Sequence, residues 1–226
     1  MAAQLKFNSQ TMTTSLKVYA INLKARLERK EHILQEFKHR DEFDLNLVAA
    51  QEHEIGAIGL WLTIKHILEH LINPEEKFII LCEDDHQFTS DYNKDQLFFA
   101  IQEAEKREAD ILLGGVSWFT TALQISSNLF WVDRFSGLQF TVIYRKFYKT
   151  ILNVDFMAGD AADYKISSLT DNKIIMYPFI STQKEFGYSD VTSKNNKKGY
   201  VTQIFEDSSE KLGHLKQVGS FYNLGF

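Results

Sequence analysis

The chain has 226 residues, of which 44% are hydrophobic, and a formal net charge of -5. This length and composition are sufficient for one well-buried domain. The negative charge and the lack of a long basic block argue against nucleic acid as the main partner, because binding to a phosphate backbone depends on clustered Lys and Arg.

Strand and helix patterns alternate along the first half of the chain. After a polar leader, residues 1–15, which we expect to be disordered, strands are predicted at residues 16–23, 44–50, 78–83 and 110–114. Amphipathic helices are predicted between them at residues 26–40, 55–72 and 95–108. Alternation of this kind is typical of right-handed βαβ crossovers and a largely parallel sheet.

The second half is richer in aromatic residues and predicts a mixed sheet. Short strands at residues 129–132 and 138–144 flank Gly137, and helices follow at residues 145–152 and 160–169. Residues 173–177 are predicted to form an edge strand, and the chain from Pro178 a long irregular segment that ends in a polar run at residues 192–199. Residues 194–199 of this run are typical of a solvated mobile loop, with a loop that contacts the substrate as the alternative.

The most informative stretch is an apolar run, residues 78–82, that stops at Glu83, Asp84 and Asp85. The run is typical of a strand buried on both faces. Three adjacent carboxylates repel one another and are costly to desolvate, so a cation or a positive partner has to offset the repulsion unless the turn is solvated. Mg²⁺ and Mn²⁺ prefer oxygen ligands. Substrate phosphates and water commonly complete the coordination shell of Mg²⁺. The alternative is a solvated acidic turn.

The location of the protein is predicted from what the sequence lacks. The first fifteen residues have neither the basic start nor the apolar stretch of a signal peptide, and no apolar segment is long enough to cross a bilayer. Cys82 is the single cysteine, and its place in the apolar run indicates a small buried hydrophobe. We therefore expect a cytoplasmic protein, with peripheral contact at the inner face of a membrane left open.

Five separated segments together resemble glycosyltransferase family 25, the lipooligosaccharide or lipopolysaccharide biosynthesis transferases. They are Ile21-Asn22-Leu23 with Arg26 and Arg29, Glu54-Ile55-Gly56-Ala57, the acid triplet, residues 137–152, and Gln183 with Ser189-Asp190-Val191. The chain departs from the family at Ile58-Gly59-Leu60-Trp61, where a Ser-His pair usually stands.

The resemblance implies a fold and a domain organisation. It implies a GT-A-like (Rossmann-like) α/β fold, with a mixed, mainly parallel sheet flanked by helices. Residues 16–226 would form one domain, with a nucleotide-binding half at about 16–115, an acceptor-side half at about 116–192 and a tail at 193–226.

The resemblance also implies roles for individual residues. Asp85 with Glu83 would hold Mn²⁺ or Mg²⁺, and Asp163 or Asp160 would be the catalytic base. The donor-binding residues would be Asn22, Arg26, Arg29, Asp84 and Gln183.

The implied activity is inverting transfer of a sugar, with galactose the first candidate, from a UDP-sugar to a hydroxyl. The acceptor would be a cell-surface glycan such as lipopolysaccharide, or its lipid-linked precursor. Two alternatives stay open. A non-catalytic glycan- or protein-binding subunit is suggested by the missing Ser-His pair. A nucleotidyltransferase is disfavoured because no Gly-rich phosphate loop follows the first strand.

Overall fold

A computed structural model of the chain describes residues 15–188, 195 and 197–225. Almost all of the predicted disordered leader, the segment Ser189-Asp190-Val191, and residues 194 and 196 of the polar run lie outside the described residues.

Twelve strands and six helices are formed by the described residues. The strands are β1 (Leu16–Asn22), β2 (Phe43–Ala49), β3 (Phe78–Glu83), β4 (His86–Phe88), β5 (Ile111–Leu113), β6 (Trp118–Phe119), β7 (Ala122–Ser126), β8 (Leu129–Val132), β9 (Phe135–Ser136), β10 (Phe140–Tyr144), β11 (Lys173–Met176) and β12 (Ser181–Gln183). The helices are α1 (Leu27–Phe37), α2 (Gly56–His66, extended by a π-helical turn Ile67–Leu71), α3 (Lys94–Lys106), α4 (Arg145–Asn153), α5 (Ala162–Ser168) and α6 (Tyr200–Phe221).

Eight of the strands form one sheet in the order β2-β1-β3-β10-β5-β11-β8-β7. β1 pairs in parallel with β2 and β3, and β11 pairs in parallel with β5. β10 is inserted antiparallel between β3 and β5, and β8 is antiparallel to β11. The predicted fold class, a mixed and mainly parallel sheet flanked by helices, is confirmed.

The sheet is covered on both faces, and β3 illustrates why its sequence is uniformly apolar. Residues Ile79 and Leu81 belong to one hydrophobic cluster, and Ile80 and Cys82 to the cluster on the opposite face. All four are at most 1% exposed. Cys82 is therefore the buried hydrophobe that the sequence predicted, and burial raises the pKa of its thiol well above the usual range.

Two predictions about the second half of the chain are wrong. β11 is not an edge strand: it lies between β5 and β8, and all four of its residues are buried. The segment that begins at Pro178 is not wholly irregular, because it contains β12, and the long helix α6 follows it. Val201, Phe205 and Leu212 of α6 are buried in the same cluster as Ile79 and Leu81.

Two small ladders outside the main sheet bring distant segments to its carboxyl edge. β12 pairs with β4, with Gln183 opposite His86, so the residues that follow β12 lie beside the turn that precedes β4. β6 pairs with β9, with Trp118 opposite Ser136. Among the helices of the described chain, none is both long and apolar enough to cross a membrane.

Candidate active site at the acid turn

The acid triplet lies where β3 ends and the chain turns into β4. Because β1 and β3 are parallel, Asn22 at the end of β1 lies at the same edge. Asn22 Nδ2 donates to Asp84 Oδ2 at 2.8 Å, and an Arg29 nitrogen donates to Asp84 Oδ1 at 2.9 Å. Asp84 is 8% exposed and has a protein donor on each oxygen. It fixes the turn against β1 and α1.

Arg29 of α1 is the main cationic neighbour of the acids. Besides Asp84, it donates to Asp85 Oδ2 at 3.3 Å and to the Tyr188 carbonyl at 3.0 Å. Its guanidinium carbon lies 4.8 Å from the ring centroids of both Phe186 and Tyr188. Burial alone would lower the pKa of Arg29, but the nearby carboxylates outweigh it and raise the pKa. The guanidinium is thus held in its charged form between the acids and two aromatic rings.

Glu83 and Asp85 are carboxyl groups whose ionisation is disfavoured despite the nearby Arg29. Burial raises the pKa of Glu83 well above its usual range, and the charges of Asp85, Asp163 and Asp84 add to the effect. Burial likewise raises the pKa of Asp85 to about 7, against the opposing influence of Arg29. Carboxyl groups that resist ionisation in this way would be stabilised as carboxylates by an added cation.

The residues present suit a hard divalent cation. Asp85 Oδ1 is buried and has no hydrogen-bond partner among the described residues, while Glu83 Oε2 has only a weak donor, Gln183 Nε2 at 3.4 Å. The described residues include no group of three or more His, Cys, Asp or Glu arranged to hold a metal. A pair of carboxylates nevertheless matches Mg²⁺, which usually relies on one or two protein carboxylates, substrate phosphates and water.

Asp163 belongs to the same electrostatic cluster, since its charge contributes to the raised pKa of Glu83. Asp163 Oδ2 accepts from Ser136 Oγ at 2.5 Å and from the Gly137 N–H at 3.1 Å, and Oδ1 accepts from the Tyr164 N–H at 2.8 Å. These three donors orient the carboxylate at the start of α5.

Asp160 is not brought to the acids by any contact among the described residues. Its Oδ2 accepts from the Met157 N–H at 2.8 Å and from Lys165 Nζ at 2.9 Å. These bonds lower the pKa of Asp160 and close a turn that precedes α5. The helix begins at Ala162, so the two acids are not neighbours on one helical turn.

The other predicted donor-binding residues lie around the acid turn. Arg26 accepts a hydrogen bond from Asn22 Nδ2 through its carbonyl at 3.2 Å, and its guanidinium lies 4.2 Å from the Tyr188 ring centroid. Gln183 reaches Glu83, as described above. The structure therefore gathers Asn22, Arg26, Arg29, Glu83, Asp84, Asp85, Asp163 and Gln183 at one edge of the sheet.

Sequence reasoning missed the segment that follows β12. The Lys184 N–H donates to the Asp85 carbonyl at 2.7 Å. The Glu185 carboxylate accepts from the N–H groups of Gly199, Val201 and Thr202 at 2.7, 2.8 and 3.2 Å, and so caps α6. No local sequence pattern indicates a cap supplied from so far upstream.

Comparisons with known proteins support the fold and no more. No family model matches the sequence, and no curated protein matches it. A197 from STIV has a similar structure, with 12% identity and a TM-score of 0.52 over 77% of this chain and 87% of that chain. At that identity the likeness shows a shared fold alone.

Two further solved structures are similar at lower scores. UDP-glucose pyrophosphorylase has 8% identity and a TM-score of 0.46, over 87% of this chain and 82% of that chain. HddC from Yersinia pseudotuberculosis has 9% identity and a TM-score of 0.43, over 87% of this chain and 99% of that chain. Neither score is high enough to bear on function. The chain is thus a mixed α/β protein with a crowded acidic site at the carboxyl edge of its sheet, and its resemblance to family 25 stays a prediction.

Proposed function

We propose that the chain is a metal-dependent, inverting glycosyltransferase that moves a sugar from a nucleoside diphosphate to an acceptor hydroxyl. The observation that carries the proposal is the pair Glu83 and Asp85 at the end of β3, with Asp85 Oδ1 buried and without a hydrogen-bond donor among the described residues. The charge of Asp163 contributes to the raised pKa of Glu83. Two functions are needed in such a reaction, neutralisation of the leaving diphosphate and removal of a proton, and this cluster supplies carboxylates for both.

In the proposed step the acidic residues have different roles. Asp85 and Glu83 would hold Mn²⁺ or Mg²⁺, which when bound neutralises the diphosphate as it departs. Asp163 takes the proton of the acceptor hydroxyl, whose oxygen attacks the anomeric carbon from the face opposite the diphosphate. The bond from the anomeric carbon to the diphosphate breaks, and its electron pair leaves with UDP. Asp84 keeps the turn in place through Asn22 and Arg29.

The donor and the acceptor are proposed from the family resemblance. UDP-galactose is the first donor to test, and the acceptor is a hydroxyl of a cell-surface glycan such as lipopolysaccharide or its lipid-linked precursor. Such an acceptor would be met on the cytoplasmic side through peripheral contact with the membrane. The donor residues Arg26, Arg29 and Gln183 border the acids, and a guanidinium suits phosphate oxygens.

A second candidate is a non-catalytic binding subunit. It is favoured by the ion pairs that Arg29 forms with the acids. The Arg29 guanidinium already pairs with Asp84 and Asp85 and is stacked on two rings, so part of the acidic charge is offset without any ligand. A nucleotidyltransferase ranks behind both candidates because the segment after β1, residues 23–26, contains no glycine.

Calorimetric titration of UDP, with and without Mn²⁺, separates these candidates. The proposal expects binding that requires the metal and is lost in Asp85→Asn but kept in Asp91→Asn, where an exposed acid is changed. Absence of UDP binding with metal would favour the non-catalytic subunit. A nucleotidyltransferase would instead release pyrophosphate when given UTP and a sugar 1-phosphate. It would not release UDP from a UDP-sugar.

A further inference from the structure

Two large aromatic side chains are exposed beside the proposed base. Trp118 of β6 is 40% exposed and Tyr164 of α5 is 52% exposed. Their ring centroids are 6.1 Å apart and the ring planes meet at 71°, so the two rings form a corner. Most of the other aromatic residues of the sheet are buried in the two hydrophobic clusters, so packing does not account for this exposed pair.

The corner lies on the same face as Asp163. Trp118 is directly opposite Ser136 in the β6–β9 ladder, and residues that are directly opposite project to the same face of a ladder. Ser136 Oγ is the group that donates to Asp163 Oδ2 at 2.5 Å. Tyr164 follows Asp163 in the chain, and its N–H donates to the other oxygen of the same carboxylate. Trp118, Ser136, Asp163 and Tyr164 are therefore contiguous.

The start of β6, which carries Trp118, is held in place by hydrogen bonds of the preceding residue, Ser117. The Ser117 N–H and Oγ both donate to the Ser136 carbonyl, at 2.9 and 3.1 Å. Ser208 Oγ of α6 donates to the Ser117 carbonyl at 2.9 Å, and Phe119, the next residue of β6, is buried. A binding surface is most effective when its position is fixed before the ligand arrives.

We infer that Trp118 and Tyr164 form a subsite that binds a sugar ring of the acceptor. The face of an aromatic ring is electronegative and attracts the C–H groups that line one face of a sugar. The sugar hydroxyls stay free for hydrogen bonds, and the adjacent Asp163 carboxylate is the acceptor for one of them. The assignment of a carbohydrate acceptor rests on the proposed function, whereas the aromatic corner itself is a feature of the described structure.

The inference is tested by binding of the labelled 226-residue chain to a printed array of oligosaccharides that end in hexoses and N-acetylhexosamines, without nucleotide. Wild type should bind a subset of these glycans, and Trp118→Ala and Tyr164→Ala should each weaken that binding at least 10-fold. Trp118→Phe should restore part of it because a ring is kept. Phe99→Ala is the matched control, since Phe99 is a 52% exposed aromatic side chain on α3.

Each outcome decides the matter. No glycan bound by wild type, equal binding by the aromatic variants, or an equal loss in Phe99→Ala would overturn the inference. Metal-dependent UDP binding is measured in the same variants, where it should be unchanged. UDP binding without glycan binding would reject the subsite and keep the transferase, whereas ring-dependent glycan binding without UDP binding would keep the subsite and reject the transferase.

Discussion

Replacement of Asp85 by Asn should stabilise the metal-free protein at neutral pH. The pKa of Asp85 rises from its ordinary 3.8 to about 7, chiefly through burial. A pKa difference of one unit corresponds to about 1.4 kcal/mol, so ionisation of Asp85 lowers the free energy of unfolding by up to about 4 kcal/mol. Asn has no charge to desolvate, and Arg29 keeps its bond to Asp84 at 2.9 Å, so no unpaired cation remains.

The sign of the pH dependence follows from the raised pKa. The stability that protonated Asp85 contributes is present below about pH 4 and is lost as the pH rises through about 7. The free energy of unfolding of Asp85→Asn should therefore exceed that of wild type by an amount that grows over this interval, to about 1–4 kcal/mol at pH 8.

The assay is urea unfolding at pH 4.5 and pH 8 in EDTA, with Asp91→Asn as the exposed-acid control, which should change stability by less than about 0.5 kcal/mol. A variant no more stable than wild type at pH 8 would refute the reasoning. It would mean that water or Arg29 already stabilises the carboxylate. Addition of Mn²⁺ should stabilise wild type and leave Asp85→Asn unchanged, if the metal site is as proposed.

Three further predictions follow from single contacts. Arg29→Met should lower the free energy of unfolding at pH 8 by about 3–5 kcal/mol, because two buried carboxylates lose their cation; an unchanged urea midpoint would contradict this. Asp163→Asn should slow sugar transfer at least about 100-fold with UDP binding unchanged, whereas Asp160→Asn should transfer at nearly the wild-type rate, and the reverse order would exchange their roles. Gly213→Ala should destabilise the fold by about 1–3 kcal/mol in thermal or urea unfolding, because the added Cβ would lie 2.6 Å from Tyr177 Oη; full stability would show that Tyr177 moves aside.

Local patterns in the sequence were sufficient for the first half of the fold. The apolar run that ends at Glu83 predicted a strand buried on both faces, and β3 is such a strand. The family resemblance, not a local pattern, implied that Asn22 and Asp84 belong to one donor site; the structure shows a bond between them, and their role stays a prediction. Asn22 and Asp84 meet because β1 and β3 are parallel neighbours, and the carboxyl ends of such strands lie at the same edge of a sheet.

The last helix was missed because its composition hides its periodicity. α6 contains Gly213 and Gly219, and glycine disfavours helix. Its buried positions Val201, Phe205, Ser208 and Leu212 do recur at helical spacing, but Ser208 interrupts the apolar series. Tertiary contacts, including the bond from Ser208 to the Ser117 carbonyl, stabilise a helix that local propensity does not favour.

Lys173 is the residue of β11 that is least expected in a buried central strand. A lysine at the start of a strand is typical of a solvated edge, yet Lys173 is 2% exposed. Its ammonium donates to the Ser167 carbonyl at 2.8 Å and also to the Thr170 carbonyl. The charge therefore caps the end of α5, and no property of the strand itself could have indicated this partner.

The spacing of Asp160 and Asp163 could not identify which acid faces the site. Both precede or begin a helical pattern, and acids are favoured at such positions for stability alone. Only the tertiary contacts of Ser136 and Gly137 with Asp163 distinguish it from Asp160, which bonds within its own turn. The role of each acid in catalysis stays a prediction.

The cap that Glu185 provides for α6 connects two parts of the chain that could be expressed as separate fragments. Glu185 holds the first turn of α6, while its neighbour Lys184 is bonded to the acid turn through the Asp85 carbonyl. α6 also buries Val201 and Phe205 in the core. A chain cut after residue 188 should therefore reassemble when both pieces are expressed together, as co-purification would show. The last helix would then be a separable part that rejoins the protein through the Glu185 cap and the core contacts of Val201 and Phe205.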